Sequence, residues 1–103
     1  MSSNLFLKNF NSNYFKNKFV IITGATGGLG VKMSKLFNKL GANLILIDKI
    51  NVKKIKPVKK NTIHYFKIDF TSQKEIDTLI EDLNLKYKRV DILINNAAYT
   101  GSD

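Results

Sequence analysis

Phe19-Val20-Ile21-Ile22-Thr23-Gly24-Ala25-Thr26-Gly27-Gly28-Leu29-Gly30 joins a run of β-branched and aromatic residues to a cluster of glycines. The run reads as a strand buried on both faces, where no polar alternation is needed. Beyond it, Leu29, Met33, Leu36, Phe37 and Leu40 recur at helical spacing, so a helix opens at Gly28-Leu29-Gly30. A glycine turn between a strand and a helix is the context that dinucleotide binding requires. Gly24 allows a sharp exit from the strand. Gly28 lets the backbone approach a pyrophosphate with no side chain between them, and Gly30 lets the helix pack closely on the sheet. The amides freed at the helix start, from Gly27 through Gly28, Leu29 and Gly30, then face a diphosphate together with the positive end of the helix dipole. Thr26 adds a hydroxyl donor. The plain alternative is a glycine-rich turn that only reverses the chain. A Walker-type loop is excluded, because no Lys-Ser or Lys-Thr pair follows the last glycine.

Working outward, Gly41 stops the first helix, since a residue just past a helix often takes the left-handed conformation. Leu44 to Ile47 is a second buried strand closing on Asp48, and Ile63 to Ile68 a third ending at Asp69. The connector Lys49 to Asn61 carries repeated lysines and the single proline, Pro57, and reads as the least ordered part. Ser72-Gln73-Lys74-Glu75 forms a capping box, with Ser72 and Glu75 each satisfying the other's backbone donor. Ile76, Leu79, Ile80, Leu83 and Tyr87 make the apolar stripe of the helix that follows. Val90 to Ile94 is a fourth strand running into Asn95-Asn96-Ala97-Ala98. Strands alternating with helices predict an α/β fold, a parallel sheet with helices on its faces and right-handed crossovers.

The whole chain has 103 residues, enough for one small domain. Residues 1–18, rich in Asn and Lys, read as an N-terminal lead-in, and 19–103 as the domain itself. Hydrophobic residues at 44% and charged residues at 24% match a soluble globular protein rather than a disordered one. The absence of cysteine excludes disulfides, thiolate catalysis and cysteine-ligated zinc, and a single histidine argues against a histidine-built metal site. No apolar run approaches the roughly 20 residues that span a bilayer. The lead-in lacks the continuous apolar stretch of a secretory signal, which leaves the cytoplasm as the default location. The net charge of +9 raises a nucleic-acid or membrane-surface reading.

Asp48 strengthens the dinucleotide reading. An acid at the end of the second strand, about 20 residues past the glycines, can accept both ribose hydroxyls of adenosine. It also repels a 2′-phosphate and so favours NAD over NADP, while the adjacent Lys49 moderates that preference. Asp69 ends the third strand in the same layer, where it can accept from an adenine amino group or simply hold a turn.

Taken together, these residues resemble the short-chain dehydrogenase/reductase family. Thr23-Gly24-x-x-x-Gly28-x-Gly30 is similar to its TGxxxGxG, Ile68-Asp69-Phe70-Thr71 to its third-strand D-V-T segment, and Asn95-Asn96-Ala97-Ala98 to its NNAG motif, with Ala98 in place of glycine. The resemblance runs from about Phe15 to Ala98. It implies a Rossmann-type doubly wound sheet in three layers, present in part, with strand order 3-2-1-4 and an unpaired hydrophobic edge on the fourth strand that promotes association into homo-oligomers. It further implies NAD as cofactor, held by Gly24, Thr26, Gly27, Gly28, Leu29, Gly30, Asp48, Lys49, Asp69, Phe70, Asn96, Ala97 and Ala98. The implied activity is hydride transfer between the cofactor and an alcohol or carbonyl substrate. The family's catalytic serine and Tyr-x-x-x-Lys pair find no match here. Tyr14 and Lys18 have the spacing but precede the first strand, and Ser102 sits too close to Asn96. The 103 residues are therefore expected to be a truncated portion of an oxidoreductase, inactive alone.

Two other classes compete. A nucleotide-binding Rossmann module without chemistry fits the same residues. A nucleic-acid-binding domain is suggested by Lys49, Lys53, Lys54, Lys56, Lys59 and Lys60, but that segment has neither arginine nor an aromatic for base stacking. A solvated surface run accounts for it better. His64, at the start of a strand, reads as a packing or exposed residue rather than a ligand.

Overall fold

Alternating side chains on two adjacent strands organise the core. The computed structural model describes residues 14–96. Within them β1 (Phe19–Thr23), β2 (Asn43–Asp48), β3 (Ile63–Lys67) and β4 (Ile92–Asn95) form one sheet, with α1 (Gly28–Lys39) and α2 (Gln73–Lys86) between strands. The spatial order is β3-β2-β1-β4 and every pairing is parallel. The register sets Ile22 beside Leu46 and Ile94, and Thr23 beside Ile47 and Asn95.

Because successive strand residues point to opposite faces, Val20, Ile22, Leu44 and Leu46 pack on one side against Met33, Leu36 and Phe37 of α1. Ile21, Ile45 and Ile47 pack on the other against Leu79 and Leu83 of α2. The expected three layers are thus present, with β1 and β2 buried at their centre. Phe15, just before β1, is also buried and meets the Phe37 ring edge-on at 5.2 Å.

Helix ends follow local chemistry. Gly41 takes φ +82°, and the amides of Gly41 and Ala42 bond back to the carbonyls of Asn38 and Phe37, which closes α1 with a Schellman turn. Ser72 Oγ accepts from the Glu75 amide as the capping box predicts. The reciprocal half differs: the Glu75 carboxylate accepts from the Asp69 amide, while the Ser72 amide bonds to the Asp69 carbonyl. The turn after β3 brings Asp69 nearer to Glu75 and spends both groups on closing that turn.

Other expectations also shift. Leu29 and Ile80, both placed on buried stripes by their spacing, are exposed. The connector forms no helix, yet it is tied down. Asn38 accepts from Asn61 Nδ2 at 2.9 Å and donates to the Lys56 carbonyl, Asn61 also donates to the Ala42 carbonyl, and the Tyr65 hydroxyl accepts from the Ile55 amide. Leu93 of β4 is 64% exposed, and among the described residues β4 pairs only with β1. Among the same residues no helix is long and apolar enough to cross a membrane, and no His, Asp and Glu cluster is placed to hold a metal ion.

Candidate functional site

The carboxyl ends of β1 and β2 and the first turn of α1 meet at one rim of the sheet, the place where open α/β sheets bind ligands. Gly24 leaves β1 at φ +63°, a left-handed conformation that glycine adopts without strain. The turn folds back at once, with the Gly27 amide bonding to the Gly24 carbonyl at 3.2 Å. Gly30 is buried against that turn. A Cβ on it would lie 2.2 Å from the Gly24 carbonyl oxygen and 2.9 Å from Ala25 Cα, so no side chain fits. Gly28 is the reverse case: a Cβ there would meet nothing within 4 Å.

Gly27 is the N-cap of α1 and offers no side-chain acceptor, and no acidic residue occupies the first turn. The first intrahelical amide to be satisfied is that of Val31, on the Gly27 carbonyl. The amides of Gly28, Leu29 and Gly30 have no acceptor among the described residues, and the Leu29 side chain stands exposed beside them. Donors left open at a helix start, with the helix dipole behind them, attract anions.

Asp48 ends β2 next to this mouth. Its Oδ2 accepts from both the amide and the hydroxyl of Thr26, at 2.9 and 2.6 Å, and its Oδ1 accepts from the Lys49 amide at 2.7 Å. Partial burial pushes the carboxyl pKa up, but the hydrogen bonds from Thr26, Lys49 and Ile50 outweigh it and hold the group below its ordinary value. The side chain of Lys49 is exposed.

Asp69 and Phe70 lie just past β3. Asp69 Oδ1 accepts from the hydroxyl and amide of Thr71, at 2.7 and 2.9 Å. These bonds, hydroxyl first, lower its pKa against a small opposing effect of burial, with some help from the Lys49 charge. Phe70 is exposed and lines an apolar groove of about 450 Å³ with Leu79, Leu83 and Leu93. At the end of β4 the Asn96 side chain donates through Nδ2 to the Gly24 carbonyl at 3.2 Å, and the Thr23 hydroxyl donates to Asn95 Oδ1 at 3.0 Å. The glycine turn is therefore tied to both neighbouring strands. Ala97 and Ala98 lie outside the described residues.

The structure thus brings Gly24, Thr26, Gly27, Gly28, Leu29, Gly30, Asp48 and Asn96 around one rim. Sequence reasoning missed the Asn95 contact with Thr23, and also a cavity of about 380 Å³ beside Thr26, lined by Lys35 of α1 and by Asn51 and Lys53 of the connector. An apolar connector run, Ile50-x-Val52-x-x-Ile55, was the available signal for that cavity.

A family model for short chain dehydrogenases matches residues 18–103. The chain is 30% identical over 98 residues to Dehydrogenase RED2 of Cochliobolus heterostrophus, covering 92% of this chain and 37% of that protein. It is 31% identical to the NAD-dependent glycerol dehydrogenase of Listeria innocua, covering 89% of this chain and 36% of the relative. The structure superposes on that of a short chain dehydrogenase from Leptospira borgpetersenii with bound NAD+ at a TM-score of 0.68 and 31% identity, over 82% of this chain and 32% of the other. The chain therefore spans roughly a third of the length of the proteins it matches.

Proposed function

The chain belongs to the short-chain dehydrogenase family, and from that premise we propose that it binds a nicotinamide dinucleotide, NAD in preference to NADP, as the cofactor-holding part of an alcohol–carbonyl oxidoreductase. The observation that carries the reading is the helix mouth. The open amides of Gly28, Leu29 and Gly30 sit beside the Asp48 carboxylate, so diphosphate donors and a ribose acceptor share one rim. The residues present fit the group: the space over Gly28 is clear, and a side chain is barred at Gly30, where the helix must pack.

In this reading Gly24 and Gly27 shape the turn, and the amides of Gly28, Leu29 and Gly30 hold the diphosphate. Asp48 accepts the ribose hydroxyls, with the Lys49 charge beside it. Asp69, Phe70 and Asn96 border the adenosine. A bound nicotinamide dinucleotide supplies the hydride donor or acceptor. The chain's own residues bind and orient it, and none of those at the rim is placed to move a proton to or from a substrate. The residues of this rim are therefore expected to bind without turnover.

Fluorescence titration of the 103-residue chain with NADH tests the binding. A saturable enhancement is expected, and it should weaken in Gly28→Ala, where the added methyl meets no protein atom within 4 Å. Titration without any saturable signal up to millimolar NADH would refute the reading. Turnover of NADH with a panel of aldehydes and ketones would refute the inactivity.

A further inference from the structure

β3 pairs with β2 and with no other strand among the described residues. The Thr62 carbonyl accepts from the Leu44 amide, and the Ile68 amide donates to the Asp48 carbonyl, both at 2.8 Å. A residue's amide and carbonyl leave a strand on the same side, and that side alternates along the chain. The even-numbered residues of β3 therefore bond to β2, and the amides and carbonyls of Ile63, Tyr65 and Lys67 face away from it. A cation flanks this edge on each face of the sheet. Tyr65 packs with the core on the α1 side and Phe66 with the core on the α2 side. Lys54 of the connector sets its Nζ 5.7 Å from the centre of the Tyr65 ring, and Lys86 at the end of α2 sets its Nζ 5.5 Å from the centre of the Phe66 ring. Both are within the reach of a cation–π contact. The Tyr65 hydroxyl also bonds to the amide and carbonyl of Ile55, which holds the connector next to Lys54 in place. A groove of about 320 Å³ runs along Ile63 to Phe66 between the two lysines.

We propose that the outer edge of β3 is a docking site for an extended acidic peptide, which joins the sheet there as a further strand. Such a segment takes its affinity from main-chain bonds to Ile63, Tyr65 and Lys67 and its specificity from its side chains. Successive side chains of a strand point to opposite faces, so two consecutive acids reach Lys54 on one face and Lys86 on the other. Both lysines are exposed, and neither forms an ion pair among the described residues. Asp82 stands one turn before Lys86 on α2 without pairing to it. Lysine beside an edge strand ordinarily deters pairing with another chain. The charges that repel a basic strand attract an acidic one. Charge also selects among occupants. A second copy of this chain brings its own net +9, and residues 1–13 hold Lys8 and no acid. A nucleic acid has the right sign but no amide ladder for the strand edge, and the groove holds no arginine.

Fluorescence anisotropy of labelled peptides titrated with the 103-residue chain tests this. The probe TVTEETVT is a strand-forming segment with a central acid pair. TVTQQTVT removes its charge, TVTKKTVT reverses it, and TVTEETVT methylated on every internal amide nitrogen removes its main-chain donors. Saturable binding of TVTEETVT is expected at low salt, weakening as salt is added. TVTQQTVT should bind about tenfold more weakly, the scale of two exposed ion pairs. TVTKKTVT and the methylated peptide should not bind. In the double variant Lys54→Glu/Lys86→Glu the preference should invert in favour of TVTKKTVT, with far-ultraviolet circular dichroism to check the fold. If that variant does not fold, Lys54→Gln and Lys86→Gln take its place, each weakening TVTEETVT about threefold. No saturable binding of TVTEETVT, equal binding of the methylated peptide, or unchanged selectivity in the lysine variants overturns the proposal. So does an oligothymidylate that binds more tightly than TVTEETVT and is lost in the same variants, which would make the patch a nucleic-acid surface.

Discussion

Asn38 and Asn61 lie at the amino ends of the strands, and the Gly28–Gly30 turn lies at their carboxyl ends, yet the two regions treat polar groups in opposite ways. At the amino end side-chain amides satisfy one another and the backbone. Asn38 and Asn61 share a hydrogen bond, Asn61 also takes the Lys59 amide, and Asn43 accepts from both the amide and the hydroxyl of Thr62. At the carboxyl end the amides of Gly28, Leu29 and Gly30 are left open. Among the described residues no buried side-chain nitrogen or oxygen lacks a partner, so polar satisfaction is the rule in this molecule. The open amides are main-chain groups, and Gly28 and Leu29 are exposed, so a ligand can reach them. The closed end holds the fold, and the open end is where a ligand can contribute.

The contrast can be broken most severely at Gly30. Gly30→Ala places a methyl 2.2 Å from the Gly24 carbonyl oxygen, a backbone atom that cannot swing aside. About 3 kcal/mol or more of destabilisation is expected, beyond the usual range for overpacking, with loss of cooperative unfolding in urea as the extreme result. Next is the closed end: Asn61→Ala removes the side-chain donor to the Ala42 carbonyl and should cost about 2 kcal/mol by urea melting. It should leave NADH affinity unchanged, which separates the two ends directly.

Gly28→Ala sharpens the comparison because the same methyl there meets only open space. Stability should stay within about 0.5 kcal/mol of wild type. NADH binding should weaken about tenfold or more, because the methyl occupies the approach to the amides. The smallest effect is on pH. The Asp48 carboxyl is held below its unfolded value, so its contribution is complete above the unfolded carboxylate pKa and fades as pH falls through the lowered one. A stability-against-pH profile of Asp48→Asn should therefore be flatter than wild type below about pH 4 and parallel to it above.

The open end was far more legible in the sequence than the closed one. Glycines announce backbone geometry by type, and the Val20-Ile21-Ile22 and Leu44-Ile45-Leu46 runs name buried strands, so the turn followed from short segments, while the order β3-β2-β1-β4 came from the family resemblance. Amide contacts between Asn38, Asn61 and the connector have no period and join residues 23 positions apart, so nothing local marks them. Spacing also counts positions without saying how wide the facing surface is. Leu29 falls on the helical stripe but precedes the part of α1 that reaches the sheet, and Ile80 lies at the margin of the α2 contact, so both are exposed. For Thr26 the residue type indicated a hydroxyl, but only the fold showed which partner takes its proton.

The pairing of β1 with β4 has a consequence in time. Of the four described strands, β1 is the first to leave a ribosome and its second neighbour, β4, is the last. The bonds joining Thr23 to Asn95 and Asn96 to Gly24 each span 72 residues. Contacts that far apart close slowly, since the chain entropy of a long loop must be overcome before any pairing repays it. Until β4 arrives, β1 presents a bare main-chain edge of Val20-Ile21-Ile22, and the turn beyond it lacks one of its anchors. Within the four-stranded sheet, the rim that would hold a dinucleotide is therefore among the last parts to reach its native shape.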